Sequence, residues 1–425
     1  MINVVAFFVL GTIIGGQINH AIYRFAFFNK RPISPWMKRH PKTKERKFVD
    51  FIPLVGWTTL NREEEFHGTL FWLRPLLIEL FWGFAVAWLY IFHCDGTSGL
   101  VPIDVEIPNQ ATTQWSWFSI QLIVFSLLIV ATFIDFDEFT IPDQVTIPGV
   151  IISVIFTASF PAVSLPHVNE LNMSEPLTFA TPLAPAGIWY SSTGLVFSIA
   201  CLWFWCFALV PKLCTFRKGV SKFIPLMLAS IAQRPRSIQG TINIAPRKMY
   251  WGTPVLAAIC ILGSLGIVFF WSLAPDPNKI ALLTSIAGLT FGMTMIWTIR
   301  IVGRLALGKE AMGFGDVTLM AMIGSYMGWQ ACLPILAASA FAALLVSIPM
   351  AIVKSESTLP YGPYLSVGTV VVALNWNLLW NDWLYDLFNT VGPGVIFLVL
   401  VGMILPMFLL LRLTRFIKEQ LIGTG

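Results

Sequence analysis

Charge is what this chain has least of. Of its 425 residues only 12% are Asp, Glu, Lys or Arg, about half the share of an ordinary soluble domain. That scarcity, beside a 56% hydrophobic content, excludes a string of soluble domains. Cysteine is also scarce: Cys94, Cys201, Cys206, Cys214, Cys260 and Cys332 form no C-x-x-C pair, which argues against a disulfide framework or a thiolate metal site. The five histidines are scattered without ligand spacing, so no metal site is expected.

What the chain has in abundance is apolar runs, each about the length needed to cross a bilayer. They lie near 3–22, 75–93, 115–134, 148–165, 187–211, 251–273, 280–303, 331–353, 365–380 and 393–413, with a shorter one at 317–329. Lipid leaves a backbone no partner but its own helix. The expected fold is therefore all-α, a polytopic membrane helix bundle of about 10–11 crossings. The first run lacks a basic start and a small-residue cleavage site, and reads as a retained span. Lys and Arg set the orientation. With the N-terminus outside and the C-terminus cytoplasmic, every Lys and Arg except Lys279 falls inside, while Asp95, Asp104, Glu106, Glu170, Glu175, Asp276, Asp382 and Asp386 fall outside. The net charge of +5 reflects that asymmetry, and no nucleic acid is expected as a partner. Two inside loops are large and basic, 24–73 and 212–248. The second contains an apolar stretch, 223–232, able to lie on the membrane surface.

Acids are rarely placed beside membrane spans without a use. Asp135 closes the third span and is followed by Asp137, Glu138, Pro142 and Asp143. Asp316 opens the short helix after Gly313-Phe314-Gly315. Both fall at the cytoplasmic face, so a bundle can bring them together. Two close carboxyls share one proton; the ionised one activates water and the protonated one donates to a scissile carbonyl. Gly313 and Gly315 leave room for an extended substrate backbone. At a helix N-terminus the dipole favours a charged Asp316, which makes it the expected base. Asp137 and Glu138 read as solvated loop acids, and Asp143 as a residue that caps or turns into the next helix, helped by Pro142. Plainer readings stay open: Asp316 as a simple helix cap, Asp135 as an ordinary juxtamembrane acid.

The blocks themselves resemble a known family. Gly313-Phe314-Gly315-Asp316, followed by Leu319, Ala321, Gly324 and Gly328-Trp329-Gln330, is similar to the G-x-G-D block of bacterial type IV prepilin leader peptidases. Ile134-Asp135 with Ile141-Pro142-Asp143, Thr146 and Pro148 resembles the first aspartate block of that family. Gly15, Asn19, Tyr23 and Arg24, the run Phe51-Ile52-Pro53-Leu54-Val55, Arg74 with Glu79, and Pro360-Tyr361-Gly362-Pro363 match further segments in order. The resemblance implies that Asp135 and Asp316 are a catalytic pair, with Pro142, Asp143, Pro360, Gly362 and Pro363 in support. It implies an aspartic endopeptidase of the bacterial cytoplasmic (inner) membrane that removes the leader of a prepilin or pseudopilin. Many family members also methylate the product with S-adenosylmethionine.

The chain departs from that pattern in three ways. The two zinc-binding C-x-x-C pairs of the family have no counterpart between Arg24 and Leu73, so no cofactor is expected: zinc lacks its ligands, and S-adenosylmethionine enters only if methyl transfer is kept. Thr318 stands where a lysine is usual. The two aspartates are also further apart than usual, which suggests the division 1–93, 94–186, 187–280 as an inserted helix pair with its basic loop, and 281–425. The run Glu63 to Glu65 offers a counter-site for a basic leader, or is a solvated turn. Alternatives remain an ion-coupled transporter with titrating acids, an inactive scaffold of a pilus or secretion system, and a presenilin-like protease, whose other motifs are not matched.

Overall fold

The computed structural model describes residues 2–27, 33–96, 98–209, 253–308, 312–353, 360–402 and 404–409, with Arg412. The basic loop 212–250, its apolar stretch 223–232 and the C-terminal tail lie outside the described residues. Helices stand at all eleven expected crossings: α1 Ile2–Phe25, α2 Leu73–Cys94, α3 Gln110–Glu138, α4 Asp143–Ser159, α5 Ser192–Leu209, α6 Thr253–Leu273, α7 Asp276–Leu307, α8 Phe314–Met327, α9 Trp329–Val353, α10 Gly362–Leu374 and α11 Pro393–Gly402. Seven of them are long and apolar enough to cross a membrane, and α4 and α10 are shorter apolar helices. The chain is a multi-pass, all-α membrane protein. The exception among the described residues is a small hairpin, β1 Pro166–Val168 against β2 Ser174–Pro176.

Several boundaries differ from the hydropathy reading. The helix expected over 148–165 runs from Asp143 to Ser159, and the one expected from 187 starts at Ser192. The run 365–380 is not one helix. It starts at Gly362 and breaks at Asn375, after which Trp376–Leu379, a π-helical turn Trp380–Leu384 and Tyr385–Val391 continue separately. Buried indoles seek an acceptor, and here they find it across the hairpin. Trp376 Nε1 donates to the Pro166 carbonyl at 2.8 Å, and Trp376 stacks on Trp380 with ring centroids 5.2 Å apart.

Helix α8 is the hub of the bundle. Every residue from Asp316 to Met327 is buried, with α7, α4, α9 and α10 around it. Apolar side chains gain little from leaving lipid for another helix, so close backbone approach carries the packing. Gly288 of α7 and Gly324 of α8 supply it. A Cβ on Gly288 would lie 2.1 Å from the Gly324 carbonyl oxygen, and one on Gly324 would lie 2.2 Å from that of Gly288. Only glycine fits at this crossing.

The segment between α1 and α2 folds as a small unit on Ile33, Trp57, Leu60 and Phe71. Ion pairs hold it. Arg62 pairs with both oxygens of Asp50, which also accepts from Thr59 Oγ1 at 2.6 Å and from Lys47 N–H at 2.7 Å. Burial alone would raise the Asp50 carboxyl, but these donors outweigh it and hold it at about 2. Glu63 is 1% exposed and pairs with Arg46 at 3.4 Å and His67 at 3.3 Å. This corrects the reading of Glu63 as a counter-site or solvated acid: its charge is already matched inside the loop. Glu79 of α2 closes the unit, accepting from Leu54 N–H at 2.7 Å and from Asn19 of α1.

Asp50 has a depressed pKa in the folded loop, so its contribution is complete above about pH 4 and is lost as pH falls through about 2. Arg62→Met leaves a buried carboxylate without its cation. It is expected to cost about 2 kcal/mol locally, less than a fully enclosed pair because Arg62 is partly exposed. Faster protease nicking within 33–72 checks this, and a chelator is expected to leave wild-type nicking unchanged.

Candidate active site

The carboxyls of Asp135 and Asp316 are 5% and 6% exposed. Asp135 lies in the last turn of α3, where a Phe139 in the left-handed region ends the helix by donating its N–H to the Asp135 carbonyl at 2.8 Å. Asp316 lies in the first turn of α8 behind an extended Gly313, whose N–H donates to its carboxylate. The charges of the two aspartates act on one another. Arg300 of α7 adds a cation: its Nε donates to the Met312 carbonyl at 3.0 Å and its guanidinium lies 5.6 Å from the Phe314 ring.

One loop joins both acids. Gly362 N–H donates to Asp135 Oδ2 at 3.1 Å, and a Cβ on Gly362 would lie 2.6 Å from that same oxygen. Ile141, from the α3–α4 turn, fills the space left by both site glycines: a Cβ on Gly315 would lie 2.8 Å from Ile141 Cβ, and one on Gly362 2.8 Å from Ile141 Cδ1. Gly315 therefore gives its room to this chain's own Ile141. Gly313 is exposed, and a Cβ there would meet only Asp316 Oδ2, at 3.5 Å, and Gly315 N, at 3.9 Å. Asp135 Oδ1 accepts no hydrogen bond among the described residues.

The remaining expected residues frame this centre. Pro360 and Pro363 are buried, with Pro363 in the first turn of α10, a position where its missing N–H costs nothing. Pro142 is extended and precedes α4, whose first residue is Asp143. Pro142 holds the cap position, so Asp143 leads into α4 as its first residue instead of capping it, and the acid adds its charge to the helix start. Asp137 and Glu138 are not loop acids. Both belong to the end of α3, where Asp137 pairs with Arg74 at 2.9 Å and Glu138 accepts from Phe27 N–H at 2.6 Å. Thr318, in place of the usual lysine, is buried and donates to the Gly315 carbonyl at 2.9 Å.

Two contributors escape sequence reasoning. The Tyr361 hydroxyl meets Ser339 Oγ of α9 at 2.7 Å, and its ring lies within electrostatic reach of Asp316. Tyr361 reads only as a letter in a motif, and Ser339 as a lone hydroxyl in an apolar run; nothing in the sequence pairs them. Among the described residues no cluster of three His, Cys, Asp or Glu is arranged to hold a metal.

The fold and the site thus define a membrane helix bundle with two buried aspartates at one end. Residues 254–348, which carry Asp316 and helices α7 and α8, match the type IV leader peptidase family. Curated relatives agree. The prepilin leader peptidase/N-methyltransferase of Stutzerimonas stutzeri is 38% identical over 98 residues, 22% of this chain and 32% of that protein. The protein of the same name from Pseudomonas aeruginosa matches to the same extent, and that of Pseudomonas putida is 32% identical over 104 residues, 24% of this chain and 34% of its own length. The matched stretch spans about a third of these relatives. No solved structure matches the chain.

The contact between Gly362 and Asp135 yields a prediction. Gly362→Ala must push the carboxylate aside, and a displacement of that size costs about a hundredfold in turnover. Steady-state rates with an unchanged circular dichroism spectrum check it.

Proposed function

We propose that this chain is a membrane aspartic endopeptidase that cuts the leader from a prepilin or pseudopilin at the cytoplasmic face of a bacterial inner membrane, with the N-terminus outside. The observation that carries the reading is the convergence of Asp135 and Asp316 on the loop of Tyr361 and Gly362. The family match and the relatives' names support the substrate class.

In this mechanism one aspartate is ionised and takes a proton from water while the other, protonated, donates to the scissile carbonyl oxygen. The tetrahedral intermediate then collapses as the amide nitrogen leaves with a proton from the pair. Gly362 N–H fixes Asp135, and Gly313 N–H fixes Asp316, so neither rotates away between steps. The open side of Gly313 admits the extended backbone around the cut. No cofactor enters this chemistry. Helices α5 and α6, with the 212–250 loop, are an insertion between the parts that bear the two acids.

Co-expression with a prepilin from the same genome, read by intact mass of the pilin, tests the proposal. Wild type removes the leader, and Asp135→Ala or Asp316→Ala each leaves it in place. A mass gain of one methyl group on the product would show methyl transfer, which the relatives' names include. An untouched leader beside well-folded wild-type protein would sink the reading.

A further inference from the structure

One turn of the unit between α1 and α2 lies beside those helices, not beyond their ends. Leu54 N–H donates to Glu79 of α2 at 2.7 Å. Glu79 stands six residues inside the start of α2 and its partner Asn19 six residues inside the end of α1, about 9 Å along each helix. The carboxylate is not drawn toward those ends, since a Cβ on Gly16 would lie 3.4 Å from its Oε1. The turn at residues 52–55 is therefore level with the bilayer-crossing helices, where lipid offers a backbone no partner. Its amides need none. Ile52 N–H donates to the Val49 carbonyl, Leu54 N–H to Glu79, Val55 N–H to the Pro53 carbonyl at 2.7 Å and Gly56 N–H to the Ile52 carbonyl at 2.8 Å, while Pro53 has no N–H. Leu54 takes a φ of 62° to make this fold-back, a conformation a leucine keeps only where its surroundings hold it.

The surface around this turn is apolar and basic. Phe48 is 83% exposed, and Trp36, Val49, Ile52 and Val55 are exposed beside it. Trp36 is a neighbour in space: its ring lies 4.9 Å from that of Phe51, and Arg46 donates to the Ser34 and Met37 carbonyls. The same stretch exposes Lys38, Arg39, Lys42, Lys44 and Lys47, against one exposed acid, Glu45. We infer that residues 36–55 dock on the anionic phospholipid headgroups of the adjoining leaflet, with Trp36, Phe48, Ile52 and Val55 in the headgroup–acyl boundary and the lysines against lipid phosphate. Depth, composition and hydrogen bonding select lipid as the occupant. A protein partner could supply acceptors to open amides, whereas lipid requires them closed, as they are here. Apolar side chains gain from burial at that boundary, tryptophan favours it, and each lysine adds attraction to an anionic surface. The assignment is independent of the peptidase reading, because it concerns how this unit is carried and not what the two aspartates do.

The test uses the full chain in vesicles, with an environment-sensitive fluorophore encoded at Phe48, whose exposure leaves the core of the unit untouched. Two quenchers are compared: phospholipid carrying a nitroxide near the headgroup end of its acyl chain, and acrylamide in the water. The nitroxide lipid is expected to quench the probe strongly and acrylamide weakly. Changing pure phosphatidylcholine for a mixture with about 30% phosphatidylglycerol is expected to raise the lipid quenching about twofold. Lys38→Gln, Lys42→Gln, Lys44→Gln and Lys47→Gln together remove that rise, and Arg at the same four positions keeps it, which separates lost charge from a lost fold. Strong acrylamide quenching without lipid quenching overturns the assignment, because the turn then faces water. Protection from both quenchers overturns it too, because protein then covers the patch. Lipid quenching that ignores both phosphatidylglycerol and the four lysines removes the anionic headgroup from the proposal.

Discussion

A carboxylate can sit among membrane helices only where the backbone around it is held away from lipid, and here the enclosure of α8 provides that condition. Its short length would make it a poor span by itself. Surrounded by α4, α7, α9 and α10, it needs no contact with lipid, and its first turn can present Asp316 to Asp135. The glycine crossing at Gly288 and Gly324 makes the enclosure tight, because there the backbones of α7 and α8 touch carbonyl to Cα. Bulk at that crossing would force α7 and α8 apart and disturb the placement of Asp316.

The site is assembled from four places far apart in the chain. The end of α3 brings Asp135, the α3–α4 turn brings Ile141, the start of α8 brings Asp316, and the loop before α10 brings Tyr361 and Gly362. Ile141 is the wedge that faces both Gly315 and Gly362, so the start of α8 and the loop that holds Asp135 are set against one spacer. The unit between α1 and α2 is built differently. Where the resembled family places zinc ligands, this chain uses Asp50 with Arg62 and Glu63 with Arg46 and His67.

Much of this is legible in the residues, and the limits have physical causes. Asp135 and Asp316 stand out because acids are rare in an apolar chain. Eleven helices follow from hydropathy because lipid permits no other backbone. The break at Asn375 does not, since an average of hydropathy ignores the need of Trp376 for an acceptor, found 210 residues away at Pro166. The pairing of Glu63 is hidden for a similar reason: a run of three acids reads as solvated until Arg46 and His67 are placed beside it. Ser339 is silent in sequence because one hydroxyl in a span ordinarily bonds its own helix, as this one also does with Leu336.

The central claim is that Asp135 and Asp316 act as one unit. The most direct measurement is the rate of leader removal in Asp135→Asn, Asp316→Asn and the double variant, with folding verified for each. Residues that share one reaction step lose nearly everything singly and little more together. The account predicts that both single variants fall to the same floor and that the double variant is no slower. Additive losses, or full activity in either single variant, would contradict it.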